Sequence, residues 1–268
     1  MLLTNQDRRV IAGAVASTGA VSLTLWWFAG TLGVLVAVLL TLAILMVAQF
    51  DQFRLLERQA DQNQRQTQAL TWLSAQVETA WPLPPLTGWA ATPELAAWVV
   101  ALIRETKPRT VVELGSGSST VLIAHLLQEQ GGRLVSLDHD AAYAEQTRKN
   151  LAIRGLQAEV LDAPLRPLTL DGRERTWYDL SGLDLPETVD LLLVDGPPHT
   201  SHPQARYPAV PAFADRLSEG AVVVLDDAGR PDEKASVAAW CERYGMESHY
   251  VDTIKGAAVL RRARPAGR

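Results

Sequence analysis

The chain has 268 residues, 47 % of them hydrophobic, with one cysteine and a formal net charge of −5. That length can hold one large core with an appendage, and the lone Cys241 excludes an intramolecular disulfide framework and a cysteine-rich zinc site. Residues 1–80 carry five basic and five acidic side chains, so the acidic excess sits in residues 81–268, which makes nucleic acid a poor electrostatic partner.

From Val10 to Phe50 there is no Asp, Glu, Lys, Arg or His. As one helix this stretch would be about 60 Å long, twice the thickness of a hydrocarbon core. It must therefore break, and Ala29-Gly30-Thr31 is the natural place. The expectation is a transmembrane hairpin within residues 1–50, with spans near 10–28 and 31–49. Gly13, Ala16, Ser17 and Ala20 would let the two helices approach closely. Arg8 and Arg9 precede the first span and Arg54 and Arg58 follow the second, so both termini, and the domain behind them, are expected in the cytoplasm at the cell membrane. A cleaved signal peptide is the alternative, disfavoured by the length of the apolar run.

Residues 51–80 are rich in Gln and free of Gly and Pro, and read as a helical neck. Phe53, Leu56, Ala60, Asn63, Thr67, Leu70 and Val77 fall at alternating three and four spacing, the pattern of a seam. Two outcomes stay open: a coiled coil that makes a homo-oligomer, or a single amphipathic helix packed on the following domain or on the bilayer. Trp81-Pro82-Leu83-Pro84-Pro85 then ends the helix.

Residues 81–268 read as one domain. Thr92-Pro93-Glu94 combines a capping hydroxyl, a first-turn proline and an early acid, and opens a helix that runs to about Thr106. Trp89, just before it, can close over a ligand or simply pack. Strands and helices then alternate over 110–114, 120–129, 133–138, 141–154 and 157–161, which predicts an α/β fold with a doubly wound, mostly parallel sheet. Residues 164–188 interrupt the rhythm with an Asp171-Gly172 turn and predict an inserted β-hairpin over the site. Val189–Asp195 and Ala221–Asp227 are buried strands ending on acids, with a helix at Ala205–Leu217 between them and another at Asp232–Tyr244 after. Ser248–Asp252 and Ala257–Arg261 read as a closing antiparallel hairpin, followed by a basic end at Arg261, Arg262, Arg264 and Arg268.

Val111–Thr120 carries the densest information. It is a strand ending on Glu113, a glycine-broken loop (Gly115, Ser116, Gly117, Ser118, Ser119) and a helix start, so backbone N–H groups can approach a ligand. A carboxylate at Glu113 would repel a dinucleotide's pyrophosphate and attract the cationic S-adenosylmethionine (SAM). Asp138 ends the second strand, where a carboxylate can accept the hydroxyls of an adenosine ribose. Asp162 and Ala163 end the third, near where an adenine would lie.

Over roughly residues 92–260 these features resemble the class I SAM-dependent methyltransferases, with a seven-stranded Rossmann-like sheet. Ser119 departs from the pattern, standing where many members carry a third glycine. The resemblance implies SAM as cofactor, held by Glu113, Gly115, Ser116, Gly117, Ser118, Ser119, Asp138, Asp162 and Ala163. Asp195, Asp226 and Asp227 should converge beside the transferred methyl. In one arrangement they bind Mg²⁺ or another divalent ion that acidifies an acceptor hydroxyl. That resembles the catechol-type O-methyltransferases, which have an Asp-Asn pair where this chain has Asp226-Asp227. In the other, His199 is a general base and Asp195 orients it or the substrate. Purely structural carboxylates are the third possibility. His202 reads as a solvated loop residue, and Arg206 and Tyr207 as contacts to a substrate anion or a surface salt bridge. Asp195-Gly196-Pro197-Pro198-His199 differs from the Asp-Pro-Pro-Tyr motif of nucleic-acid amino-methyltransferases by an inserted glycine and a missing aromatic.

The expected function is a membrane-anchored enzyme that methylates an oxygen of a small or lipid-linked acceptor. Two other readings are a non-catalytic, membrane-anchored assembly protein with the same fold, and a nicotinamide-dependent oxidoreductase.

Overall fold

The computed structural model describes residues 5–86 and 91–262. Trp89 and the basic positions Arg264 and Arg268 lie outside the described residues. The chain divides into two compact units, Met1–Asn63 and Gln64–Arg268.

Helix α1 (Asn5–Gln76) leaves helical geometry once, at Gly30, where φ is 64° and ψ −151°. That is where the length argument places a break, and glycine is the residue for which a positive φ carries no Cβ penalty. Of the expected pair of spans, 10–28 and 31–49, the described residues support one. Among the described residues a single helix, Gly30–Gln76, is long and apolar enough to cross a membrane. The apolar helical stretch described before Gly30 is Ala12–Thr24. Hydroxyls interrupt its apolar surface: Ser17 and Thr18 donate back to the Ala14 carbonyl at 2.9 and 2.7 Å. In the neck, Phe53 and Leu56 are exposed.

In the second unit the end of α1 docks on the domain through Leu73 and Val77, both buried in its core. There the plainer expectation for the neck, a helix packed on the domain, describes its last turns. Arg65 adds a polar tie. Its guanidinium donates to Glu94 Oε1 at 2.7 Å and to the Asp252 carbonyl at 2.5 Å, while Glu94 Oε2 accepts from Ile254 N at 2.6 Å.

The domain elements follow as α2 (Pro93–Thr106), β1 (Thr110–Leu114), α3 (Ser118–Gln130), β2 (Arg133–Asp138), α4 (Ala141–Ile153), β3 (Glu159–Asp162), β4 (Leu165–Leu170), β5 (Arg173–Tyr178), β6 (Val189–Val194), α5 (Ala209–Phe213), β7 (Leu217–Asp226), α6 (Pro231–Tyr244), β8 (Met246–Val251) and β9 (Ala257–Arg262). The cap read from sequence is formed: Thr92 Oγ1 accepts from Leu95 N at 3.3 Å. The main sheet has the order β3-β2-β1-β6-β7-β9-β8, parallel except for β9, which runs antiparallel to both β7 and β8.

Strand residues alternate between two cores. Val111, Leu191, Leu193, Val222 and Val224 join α2, α3 and α4 on one face, while Val112, Leu114, Leu192, Val194 and Val223 join Trp177, Phe213 and Trp240 on the other. Burial on both faces explains why β6 and β7 read as unbroken apolar runs. The helix expected over Ala205–Leu217 shrinks to α5. Pro203, Pro208 and Pro211 interrupt the run, Gln204 adopts φ 52°, and Leu217 is drawn into β7 opposite Val189. The inserted hairpin is present as β4–β5, turning at Asp171 and Gly172 with φ 56° and 71°.

Two glycines fix the loop after β7 to the β8–β9 turn. Ala228 N and Gly229 N donate to the Gly256 and Lys255 carbonyls at 2.9 and 3.2 Å. A Cβ on Gly256 would lie 2.6 Å from Gly229 N, and its φ is +74°. Gly256→Ala is expected to destabilise the chain by at least about 2 kcal/mol in denaturant titration. Gly182→Ala, with φ +76° and nothing within 4 Å, should lose only the backbone part, about 1–2 kcal/mol.

Candidate active site

The carboxyl ends of β1, β2, β6 and β7 surround a cavity of about 720 Å³. At one end stands the loop after β1. Gly115, at φ +102°, crosses the end of β6 so closely that a Cβ would lie 3.3 Å from the Asp195 carbonyl carbon. Gly115, Ser116 and Asp138 line the cavity.

Asp138 is 4 % exposed and densely bonded. Its Oδ2 accepts from Ser116 N at 3.0 Å and Ser116 Oγ at 2.5 Å, and its Oδ1 accepts from Asp140 N at 3.0 Å. His139 Nδ1 lies 3.5 Å from the same Oδ1. Burial pushes this carboxyl up, and the hydrogen bonds from His139, Ser116 and Asp140 outweigh it and hold the group below the usual range.

Glu113 is placed differently. Its side chain is fully buried beneath the loop, with Oε2 accepting from Thr120 Oγ1 at 2.6 Å and Ser136 Oγ at 2.7 Å. It does not line the cavity. Burial raises its pKa from 4.5 to about 7 despite those hydroxyls. The other expected cofactor contacts also lie off the cavity wall. Gly117 N donates to Thr120 Oγ1, Ser118 Oγ donates to the Pro85 carbonyl, Ser119 is buried, Asp162 accepts from Arg148, and Ala163 N donates to the Asp138 carbonyl.

A raised acid pKa gives stability that is full below pH 4.5 and lost as pH rises through about 7. This carboxyl should cost about 3 kcal/mol of stability between those limits. Glu113→Gln is expected to flatten that fall in unfolding free energy measured from pH 4.5 to 8.

At the other end Asp195, Asp226 and Asp227 meet as the resemblance implies, each offering a carboxylate oxygen within 4.8 Å of the others. Asp195 and Asp227 reach the cavity, whereas Asp226 is fully buried behind them. Arg206, expected at a substrate anion or on the surface, is instead 4 % exposed and inserted among these acids. Its Nη2 lies 3.3 Å from Asp195 Oδ1 and 3.0 Å from Asp227 Oδ2. The same nitrogen donates to the Asp195 carbonyl at 2.9 Å, and Nη1 donates to the Asp226 carbonyl at 2.8 Å. Arg230 Nη1 adds a second cation 3.0 Å from Asp227 Oδ2. Burial and mutual repulsion raise Asp195 well above the usual carboxylate range, and burial with Asp227 nearby raises Asp226 too. His199 lines the cavity from an exposed position.

Several wall residues were not read from the sequence: His139, Asp140, Tyr143, Tyr178, Arg230 and Lys255. His139 and Asp140 follow the β2 acid directly and could have been inferred from position. Tyr178 and Lys255 come from hairpins whose reach no local pattern reveals.

A protein-family model described as a methyltransferase domain matches residues 112–228. Residues 112–228 form a methyltransferase domain. The fold comparison agrees. The SAH-bound methyltransferase PaMTH1 of Podospora anserina superposes with a TM-score of 0.53 at 14 % identity, covering 74 % of this chain and 88 % of that one. The O-methyltransferase from Bacillus cereus in complex with SAH gives 0.51 at 19 % identity, covering 74 % and 90 %. No curated protein matches the sequence.

Arg206→Leu would leave the three acids without their buried cation. It is expected to lower unfolding free energy by about 3–5 kcal/mol at pH 8 and by less at pH 5, where Asp195 and Asp226 hold protons more readily. Chemical denaturation at the two pH values measures the difference.

Proposed function

We propose that the chain is a membrane-anchored methyltransferase that uses SAM to methylate an oxygen of a small or membrane-associated acceptor. The observation that carries this reading is the single cavity joining the loop after β1 and Asp138 to the acids at the ends of β6 and β7. Without a Cβ, Gly115 lets the loop after β1 lie against the chain at Asp195, which brings the two ends of the cavity together. When bound, SAM supplies an activated methyl on a sulfonium. Asp138 and Ser116 would hold the adenosine side, and the acids would hold the acceptor.

Transfer to oxygen requires the acceptor's proton to leave. Asp195, whose pKa is raised by burial and by Asp226, lines the cavity where it can take that proton. His199 at the cavity wall is the second candidate base. The donor set also fits a hard divalent cation: both Asp226 carboxylate oxygens are buried without a hydrogen-bond partner, beside Asp195 and Asp227. Such an ion would be held by these three residues and would acidify an acceptor hydroxyl. Arg206 already supplies one positive charge there, so any ion would share the acids with it.

Anchoring through the apolar start of Gly30–Gln76 rests on length and composition. Arg54 and Arg58 just after the apolar run favour a domain on the cytoplasmic side, where SAM is made. A lipid-linked acceptor follows from that placement, nucleic acid is not expected as a partner, and self-association would run through the exposed neck.

Calorimetric titration of the detergent-solubilised full chain tests the cofactor. SAH is expected to bind at micromolar affinity and NAD not at all, with Asp138→Ala weakening SAH at least about tenfold. Binding of NAD but not SAH would move the protein to the oxidoreductase reading, and binding of neither by a folded chain would favour the assembly protein.

A further inference from the structure

Tyr178 ends β5 and reaches the cavity from the inserted hairpin. Its side chain is 4 % exposed, and its hydroxyl is buried with no hydrogen-bond partner among the described residues. The hydroxyl lies hard against the chain at Gly196: a Cβ there would come within 2.2 Å of it. Its ring meets His139 edge-on, with centroids 6.5 Å apart, immediately beside the Asp138 carboxylate. An unpaired buried hydroxyl costs free energy, and one in a cavity wall has a reason to be kept if a ligand completes it.

The hairpin that carries Tyr178 is held rigidly. Asp171 at its turn accepts from Tyr207 Oη at 2.7 Å and pairs with Arg243, and the Arg175 guanidinium stacks 4.5 Å from the Tyr207 ring centroid.

Asp138 supplies the complementary observation. Each of its oxygens already faces two donors, Ser116 N and Oγ on one side and Asp140 N and His139 on the other. A carboxylate so occupied is a poor sole anchor for two ribose hydroxyls. Ser116 Oγ has a second acceptor in Thr147 Oγ1 at 3.1 Å, so it can yield one site on Asp138 and no more.

We propose that the Tyr178 hydroxyl is a cofactor-binding group, donating a hydrogen bond to a ribose oxygen of the adenosine moiety. In this arrangement a ribose hydroxyl donates to Asp138 and accepts from Tyr178, so a hairpin outside the main sheet completes the site. Burial pushes the phenol's pKa well above its usual range, which favours the neutral, donating form. The assignment rests on the cavity being the SAM site.

The test uses Tyr178→Phe in the detergent-solubilised full chain, titrated calorimetrically with SAH and with adenosine, beside a thermal melt without ligand. Removing an unpaired hydroxyl and keeping the ring should leave the ligand-free melting temperature unchanged or raised. Both ligands should bind about tenfold more weakly than to the wild type. Equal affinity of variant and wild type for SAH would overturn the proposal, as would a lowered ligand-free melting temperature, which marks a structural role. A loss for SAH but not for adenosine would move the contact to the amino-acid end and overturn the ribose assignment. Failure of the wild type itself to bind SAH would overturn the cofactor reading, and this proposal with it, whereas wild-type binding with an unaffected variant removes the proposal alone.

Discussion

Three carboxyl groups at the ends of neighbouring strands repel one another, and the Arg206 guanidinium set among them is what lets the chain hold them together. It bonds backbone as well as side chains, to the carbonyls of Asp195 and Asp226, so it also fixes the spacing of the loops after β6 and β7. The segment that delivers it is irregular because it must be. A regular helix from Ala205 would follow its own periodicity, while the prolines at 203, 208 and 211 let Arg206 turn inward and Tyr207 turn toward the hairpin. The catalytic character proposed for Asp195 follows from the same arrangement. Its raised pKa reflects burial beside Asp226, tempered by the Arg206 cation.

Most of the sheet was legible in the sequence because each parallel strand is buried on both faces and therefore written as an apolar run. Thr110–Leu114, Arg133–Asp138 and Val189–Val194 appear where the runs lie, and the Asp171-Gly172 pair announced its hairpin through turn chemistry alone. The acids at strand ends were legible for a topological reason, since parallel strands of one sheet share a carboxyl edge. What was not legible depended on contacts across the fold. Glu113 reads as a ligand contact from its place before a glycine, yet the hydroxyls of Thr120 and Ser136 draw it beneath the loop. Arg206 reads as a surface residue because nothing near it in the chain is acidic.

The N-terminal stretch shows the same boundary. Its charge-free composition and the break at Gly30 are local properties, and both are visible in the sequence. The number of spans is not a composition property alone: among the described residues one helix, Gly30–Gln76, is long and apolar enough to cross a membrane.

The hairpin between β3 and β6 closes its own hydrogen-bond ladder and shares none with the main sheet. It meets the rest of the domain through Asp171 at its tip, through Arg175 and the leucines of β4 along its length, and through Trp177 and Tyr178 at its base. Such an element behaves as an exchangeable cassette. Its outward side chains can drift, or be redesigned, with the strand register untouched, provided the tip anchor, Arg175 and the inward apolar residues are retained.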